Sequence, residues 1–210
     1  MTLTEIREPK QTRSQATRRN IMETAVRLFE MHGFEKVHSN WIAREAGLSV
    51  GAFYRHFPNK MALFIEMVRT RLMENTDLFK GLSPRSLPSK EVYFRLWETI
   101  IDRSFTLYSA YPGLAKIAIH LRYSHPEILV LFTRAINERL ALLEALIKLG
   151  MTQSWVRKGD SGAMTECLYT WIESSIVRWV LYEDTNGSLD KLKKELVTMV
   201  RCYLTDPTGA

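Results

Sequence analysis

Residues 42–57 decide the fold, and they read Ile-Ala-Arg-Glu-Ala-Gly-Leu-Ser-Val-Gly-Ala-Phe-Tyr-Arg-His-Phe. The apolar spacing at the start indicates a short helix that stops at Gly47, because glycine adopts the positive φ of a helix end without steric penalty. Ser49 is a favourable N-cap for the next helix. Phe53 and Phe57 are four residues apart and would anchor that helix to a core. A short, anchored helix with hydrogen-bond donors on its outer side has the shape that a DNA major groove accepts.

Length and composition set the class of protein. The chain has 210 residues, of which 46% are hydrophobic and 25% charged, values typical of one or two globular domains. The formal net charge of +6 favours an anionic partner without identifying it.

The sequence also bears on location and cofactors. The polar N-terminus lacks a signal-peptide core, and no apolar run approaches the roughly 18 residues that would indicate a membrane span. We therefore expect a cytoplasmic protein with no membrane partner. Cys167 and Cys202 are far apart and lack zinc-ligand spacing, so we expect packed thiols, no metal and no cofactor.

Helical periodicity runs through the whole chain, and no alternating run indicates a strand. The predicted class is all-α, with a small three-helix head followed by a larger helical body. Gly33, Gly47 and Gly150 are predicted helix ends, and Asn59, Ser89 and Ser188 predicted N-caps. The predicted helices cover residues 14–32, 39–47, 50–57, 60–79, 89–108, 114–122, 126–149, 160–182 and a last segment from 189.

A longer pattern carries a family resemblance. It comprises Ala25-x-x-Leu28-Phe29, Gly33-Phe34, Ile42-Ala43-x-x-Ala46-Gly47-Leu48-Ser49-x-Gly51-x-Phe53-Tyr54-x-x-Phe57 and Lys60-x-x-Leu63. This pattern resembles the N-terminal head of the tetracycline-repressor (TetR) family over about residues 14–68. The resemblance implies a three-helix DNA-binding head and a divergent body that binds ligand and dimerises. It leaves the ligand unspecified.

These expectations give three regions. Residues 1–13 form a flexible basic arm, residues 14–59 a helix-turn-helix DNA-binding domain, and residues 60–210 a ligand-binding and dimerisation domain with the helix from Lys60 as connector. Five cations and one anion lie between Arg7 and Arg19. They form either a solvated tail or an arm that touches phosphates.

The resemblance implies that Tyr54, His56 and Lys60 donate to DNA phosphates. Arginine pairs bidentately with guanine, and small apolar side chains touch a thymine methyl, so residues of the second and third helices are candidate base readers. Burial of Tyr54, or plain phosphate contact by the arginines, is the alternative. Trp41 either packs on the sugar-phosphate backbone or closes the head. The predicted DNA contacts are His38, Asn40, Arg44, Ser49, Val50, Ala52, Tyr54, Arg55, His56 and Lys60.

The last two helices carry surplus apolar surface, and a helix that is apolar nearly all round must be buried on several sides. They form either a dimer interface, as the resemblance implies, or a monomeric hairpin. The predicted interface residues are Met164, Leu168, Ile172, Ile176, Leu192, Leu196, Met199 and Tyr203.

Aromatic residues with a few polar tips in the body suit a largely apolar ligand pocket, although ordinary core packing is the alternative for each. The predicted pocket residues are Trp97, Ile101, Phe105, Tyr108, His120, Tyr123, Phe132 and Trp171.

The sequence thus predicts a homodimeric transcriptional regulator, a repressor that binds a palindromic double-stranded DNA operator and is released by a small, largely apolar organic effector. Common catalytic motifs such as GxSxG and HExxH are absent, so no catalytic residue and no enzyme activity are predicted. The alternative is a non-enzymatic helical interaction protein that uses its basic head on a partner other than DNA.

Overall fold

The computed structural model describes residues 10–80, 87–182 and 188–205, with side chains for 13–73, 87–182 and 188–205. This part of the chain is helical and contains no strand. Its helices are α1 (Lys10–His32), α2 (Ser39–Glu45), α3 (Val50–His56), α4 (Lys60–Lys80), α5 (Lys90–Ser109), α6 (Pro112–Leu121), α7 (Pro126–Thr152), α8 (Ser161–Tyr182) and α9 (Leu189–Leu204).

Two compact units meet within α4, between Val68 and Arg69. The first unit, the head, therefore extends past the expected boundary at residue 59. The reason is that the first turns of α4 belong to the head core: Leu63 is fully buried, and the Phe64 ring lies 5.0 Å from that of Phe34. The second unit is the body.

The predicted helix starts are mostly confirmed. Ser49 Oγ accepts from Ala52 N at 3.1 Å, and Asn59 Oδ1 accepts from Ala62 N at 2.8 Å. Ser89 Oγ accepts from Val92 N at 3.3 Å. Ser188 precedes α9, but its side chain makes no capping hydrogen bond, so its predicted role as a side-chain cap is wrong.

Two helix limits differ from the prediction. Helix α1 begins at Lys10, so residues 10–13 of the expected flexible arm are helical, while residues 1–9 lie outside the described part. Helix α7 continues through Gly150 to Thr152. A Cβ at Gly150 would clash with Val156 and lie 2.8 Å from the Tyr93 ring, so this glycine permits close packing rather than ending the helix.

The body core lies between α5, α8 and α9, with α7 alongside. Its largest members, including Trp97, Phe105 and Tyr93, are almost entirely buried. Helix α8 supplies Met164, Leu168, Ile172, Ile176 and Val180 to this core. Among the described helices, none is long and apolar enough to span a membrane.

Candidate DNA-binding interface and internal cavity

Helix α1 holds the C-terminal end of each helix of the helix-turn-helix. Asn20 Nδ2 donates to the carbonyl of Ala46, at the end of α2, at 2.9 Å. Arg18 Nη1 donates to the carbonyl of His56, at the end of α3, also at 2.9 Å. Arg18 additionally pairs with Glu66 of α4 at 3.2 Å and stacks over the Phe57 ring at 4.2 Å. One arginine thus links three helices of the head, which corrects its expected place among the cations of the arm.

The turn between α2 and α3 is built on Gly47, whose φ of +69° is the left-handed conformation that glycine tolerates best. Its N–H donates to the Arg44 carbonyl at 3.0 Å, and Leu48 N–H donates to the Ala43 carbonyl at 2.9 Å. These bonds satisfy carbonyls at the end of α2. The chain then enters α3 through the Ser49 cap, so the relative orientation of α2 and α3 is locally determined.

The inner side of the head is an aromatic core. The ring of Phe29 lies 5.3 Å from that of Phe34, and the ring of Phe53 lies 6.0 Å from that of Phe57. Ile42 and Phe53 are fully buried, which fixes the rotation of α2 and α3 about their axes. The opposite side of each helix is therefore turned to solvent.

That exposed side forms one polar surface, which we call the recognition face. Tyr54 is 49% exposed and Val50 is 42% exposed, and the ring of Tyr54 packs edge-on to Phe53. Tyr54 is therefore not a buried core aromatic. The recognition face comprises Asn40, Arg44, Val50, Gly51, Tyr54 and Arg55.

The structure places Ala52 differently. Ala52 is only 7% exposed, because it lies on the same side of α3 as the buried Phe53. Its predicted contact with a thymine methyl is therefore wrong for this conformation of the head. Gly51 is exposed instead, and a Cβ built on it would have no atom within 4 Å. Gly51 is part of the sequence motif, but the sequence alone did not indicate its position on the recognition face.

Lys60 is half-buried and already engaged within the head. Its Nζ donates to the Phe34 carbonyl at 2.6 Å and lies 4.1 Å from the centre of the Phe34 ring. Burial lowers the pKa of Lys60, while the nearby Glu35 opposes this shift. An ammonium group has three donors, so two N–H groups remain for a phosphate. The lysine positions α4 as well as being a candidate phosphate contact.

The remaining predicted contacts flank the recognition face. His38 is exposed and precedes α2 without a side-chain capping bond, while His56 is half-buried at the end of α3. Ser49 is exposed, and its Oγ accepts the capping bond. Trp41 lies against His32, with 4.8 Å between ring centres, and its Nε1 donates to Glu45 at 3.3 Å. Trp41 therefore packs on the head, one of its two predicted roles.

The body contains a cavity between α5, α7 and α8. The enclosed space is small, about 20 Å³. The lining residues are Ile100, Ser104, Tyr108, Arg139, Leu143, Tyr169, Ile172, Glu173 and Ile176.

Of the predicted pocket residues, only Tyr108 lines this cavity. Ile101 and Phe105 each lie one position beyond a lining residue of α5, which turns them by one helical step into the core, and Trp97 is buried in the same core. The other four predicted residues do not line this cavity. His120 and Tyr123 are exposed, Phe132 is buried with its ring centre 5.6 Å from the Arg122 guanidinium carbon, and Trp171 packs edge-on to Tyr203 with 5.0 Å between ring centres.

Most predicted interface residues are buried within their own chain. The apolar surface of α8 is covered by α5, α6, α7 and α9 of the same chain. Residues Met164, Leu168, Ile172, Ile176 and Leu196 are at most 6% exposed. Leu192, Met199 and Tyr203 are half-buried and pack on the same core. An interface on α8 and α9 therefore has to use their outer side.

Metal-ligating groups do not cluster in the described ranges: no three His, Cys, Asp or Glu side chains are placed to hold an ion. Cys167 and Cys202 are both free and exposed, so the expectation of packed thiols is wrong.

The head has the geometry of a helix-turn-helix. Its second helix, α3, is N-capped and exposed on one side, and α1 holds it in place by a hydrogen bond. This geometry defines the protein as a DNA-binding transcriptional regulator. Residues 21–67 match the profile of "Bacterial regulatory proteins, tetR family". The head of the chain is that of a TetR-family transcriptional regulator.

A curated relative shares the head. The "Probable acrEF/envCD operon repressor" of Escherichia coli (strain K12) is 45% identical over 60 residues, which is 28% of this chain and 27% of that protein. The match therefore spans about a quarter of that relative's length.

Solved structures resemble the whole fold. A transcriptional regulator from Saccharomonospora viridis in complex with choline has a TM-score of 0.77 and 21% identity, covering 91% of this chain and 99% of that one. FadR from Bacillus subtilis in complex with stearoyl-CoA has a TM-score of 0.70 and 19% identity, covering 89% and 98%. At these identities the likeness concerns the fold.

Proposed function

We propose that the protein is a cytoplasmic repressor that binds a palindromic operator as a homodimer and is released by a small organic effector. The observation that carries the DNA-reading part is the recognition face, on which Tyr54, Arg55 and Val50 are exposed beside Arg44 of α2. The name of the E. coli relative, an operon repressor, supports repression. The ligands bound to the two similar structures support an effector in the body.

The recognition face has chemistry for both phosphates and bases. Arg55 and Arg44 carry guanidinium groups suited to guanine edges or phosphates, and Val50 is suited to a thymine methyl. Tyr54 and Lys60 flank them with donors for phosphates. Asn40 extends the face along α2 and can pair bidentately with adenine.

One head offers only a small surface to DNA, so sequence-specific DNA binding is expected to need two heads. In a symmetric dimer, two recognition helices read half-sites roughly 34–36 Å apart or a multiple of this, and the operator repeats the protein's two-fold symmetry. The dimer is therefore part of the proposed function.

We place the dimer interface on the outer side of α8. Its exposed or half-buried residues recur at alternating spacings of four and three, the pattern of a helix seam, and their small side chains allow close approach. This stripe comprises Ala163, Cys167, Thr170, Ser174, Val177 and Leu181.

Light scattering tests this interface. Ser174→Glu places a charge at the centre of the stripe and is expected to give monomers. Thr133→Glu adds the same charge at an exposed position of α7 and is expected to remain dimeric. A Ser174→Glu protein with an unchanged dimer mass would move the interface elsewhere.

Selection of bound sequences from random duplex DNA, repeated at two salt concentrations, tests the whole proposal. We expect an enriched palindrome and a steep loss of affinity with salt, because phosphate contacts release counterions. Weak, uniform binding without enrichment would contradict sequence-specific reading. DNA binding too weak to show any salt dependence would favour a partner other than DNA for the basic head.

A further inference from the structure

The body buries a guanidinium group that is only partly hydrogen-bonded. Arg139 of α7 is 5% exposed. Its Nε and Nη2 have no hydrogen-bond partner among the described residues. A buried charge is costly unless it is paired and hydrogen-bonded. Two donors of this arginine are thus available to a group that the protein itself does not supply.

These two donors have a specific geometry. Nε–H and one Nη2–H point in parallel from the same edge of the guanidinium plane, the edge that binds both oxygens of a carboxylate. The edge belongs to a residue that lines the cavity between α5, α7 and α8. The free donors of Arg139 therefore match a planar anion with two oxygens.

The two tyrosines of the cavity add neutral donors. The Tyr108 hydroxyl interacts with Arg139, and burial raises the pKa of Tyr108, so its hydroxyl stays protonated at neutral pH. Burial also raises the pKa of Tyr169, with a further contribution from Glu173. The Tyr169 hydroxyl has no partner of acceptable hydrogen-bond geometry. It is a further donor beside Arg139.

The charged groups in and beside the cavity carry an excess of positive charge. Glu173 is the one carboxylate among its lining residues, and it already pairs with Arg122, at 3.9 Å. Arg122 also has a buried Nε without a partner. Glu173 is thus shared between Arg139 in the cavity lining and Arg122 beside it, and an additional negative charge would balance the second guanidinium group.

We propose that the effector of this regulator is an anionic amphiphile whose carboxylate binds the free edge of Arg139, with Tyr169 as an additional donor. Its apolar portion contacts the aliphatic lining residues Ile100, Ile172 and Ile176. This inference rests on the proposed function, in which a small ligand releases the DNA. It adds the negative charge of that ligand and the residue that recognises this charge.

The small size of the cavity adds a condition. About 20 Å³ holds little more than a water molecule, so even a short carboxylate must displace lining side chains. The ligand then favours a conformation of the body with a wider cavity, and a ligand shifts an equilibrium toward the state that it binds better. Binding is thereby coupled to a change in the body.

Binding of a graded series of probes tests the proposal. We would titrate the full chain with straight-chain carboxylates from acetate to decanoate, with hexanol, and with hexyltrimethylammonium. Calorimetry would give affinity and thermal unfolding would give Tm. We expect at least one carboxylate to bind and raise Tm, with hexanol and the cation at least tenfold weaker than the carboxylate of equal length.

Variants assign the effect to Arg139. Arg139→Met keeps the length of the side chain but removes the charge, and it is expected to weaken carboxylate binding more than tenfold. Arg139→Lys keeps the charge without the bidentate edge and is expected to weaken binding as well, which covers the case that the methionine variant does not fold. Arg134→Met on the same helix, where the side chain is 80% exposed, is expected to bind like the wild type.

Separate readouts distinguish the two proposals. No carboxylate binding, or binding that both Arg139 variants retain, would overturn the inference even if another compound releases DNA. Tighter binding of the trimethylammonium probe would also overturn it. Carboxylate binding that depends on Arg139 but leaves operator affinity unchanged would support the anion site and contradict release by this ligand.

Discussion

The Arg18 guanidinium donates a 2.9 Å hydrogen bond to the carbonyl oxygen of His56, across 38 residues of sequence. That carbonyl belongs to the last residue of α3, the helix that carries most of the recognition face. The same guanidinium pairs with Glu66 of α4. A cation that charge alone assigns to phosphate binding therefore orients α3, the proposed recognition helix.

We predict that Arg18→Met destabilises the head by roughly 1–3 kcal/mol, because it removes a charge-assisted hydrogen bond and leaves its partners unsatisfied. Operator affinity should fall, but its salt slope should stay unchanged, since Arg18 contacts no phosphate. Chemical unfolding and titrations at several salt concentrations measure both. Arg27→Met removes an exposed charge from the same helix and serves as control. A salt slope reduced by about one would instead make Arg18 a phosphate contact.

The recognition face can be tested at a position without side-chain contacts. Gly51→Glu meets no atom within 4 Å at its Cβ, so the head should fold at least as stably as the wild type. The new carboxylate would face DNA phosphates, and we expect operator affinity to fall roughly tenfold or more, about 1.4 kcal/mol. Met31→Glu, at an exposed position of α1, controls for net charge. Equal affinities of the two variants would exclude Gly51 from the DNA contact.

The Tyr54 hydroxyl can be removed without disturbing the core. Tyr54→Phe keeps the ring that packs on Phe53 and should leave thermal stability unchanged. If the hydroxyl donates to a phosphate, affinity should fall by about 0.5–1.5 kcal/mol, the net contribution of a hydrogen bond. Tyr123→Phe, at a residue 76% exposed in the body, is the matched control. Unchanged operator binding by Tyr54→Phe would remove the tyrosine from the predicted phosphate contacts.

Replacing glycine by alanine should have opposite effects on stability at Gly150 and Gly51, because their surroundings differ. Gly150→Ala would place its methyl against Val156 and Tyr93, and we expect a destabilisation of roughly 1–3 kcal/mol from overpacking. Gly51→Ala has open space and should stabilise its helix by about 0.5–1 kcal/mol. Unfolding free energies of the two variants give the comparison. A Gly150→Ala protein as stable as the wild type would show that α5 and α7 are less closely packed.

The sequence predicted local features better than it predicted which surface each residue occupies. Ser49 and Gly47 act through bonds to residues within five positions, so their effect can be inferred from a short segment. Ala52 and Gly150 depend on neighbours distant in sequence, and their environments follow only from packing. Arg139 is the strongest example: in sequence it is one arginine on a long amphipathic helix, and only the packed helices around it make it a buried charge in a cavity.

The interface predictions on α8 rested on a pattern that has two interpretations. Apolar periodicity reports that a side chain is buried, but not whether its own chain or a second copy buries it. Leu168 and Ile176 are covered by the body itself. The exposed stripe through Thr170 and Ser174 is less apolar than the buried side of α8. Its regular spacing is therefore hard to recognise in the sequence beside the stronger apolar pattern of the same helix.

Alkaline conditions should reveal the burial of Tyr93. Burial raises its pKa from 10.0 to about 12, so the unfolded chain releases this proton at lower pH than the folded chain does. The contribution of the protonated Tyr93 hydroxyl to the free energy of unfolding is constant below pH 10. It is lost as the pH rises from about 10 towards about 12. Between pH 9 and pH 11, wild type should therefore lose roughly 1.4 kcal/mol more unfolding free energy than Tyr93→Phe does.

At neutral pH the same substitution should cost little, because the Tyr93 hydroxyl has no hydrogen-bond partner among the described residues and the phenyl ring keeps its contacts. Urea unfolding at neutral and alkaline pH supplies the comparison. Tyr111→Phe, at a residue only half-buried, controls for the loss of a phenol. Parallel pH profiles for wild type and Tyr93→Phe would mean that this hydroxyl is open to solvent, and that Gly150 and Tyr93 are not held in the close contact seen between α7 and α5.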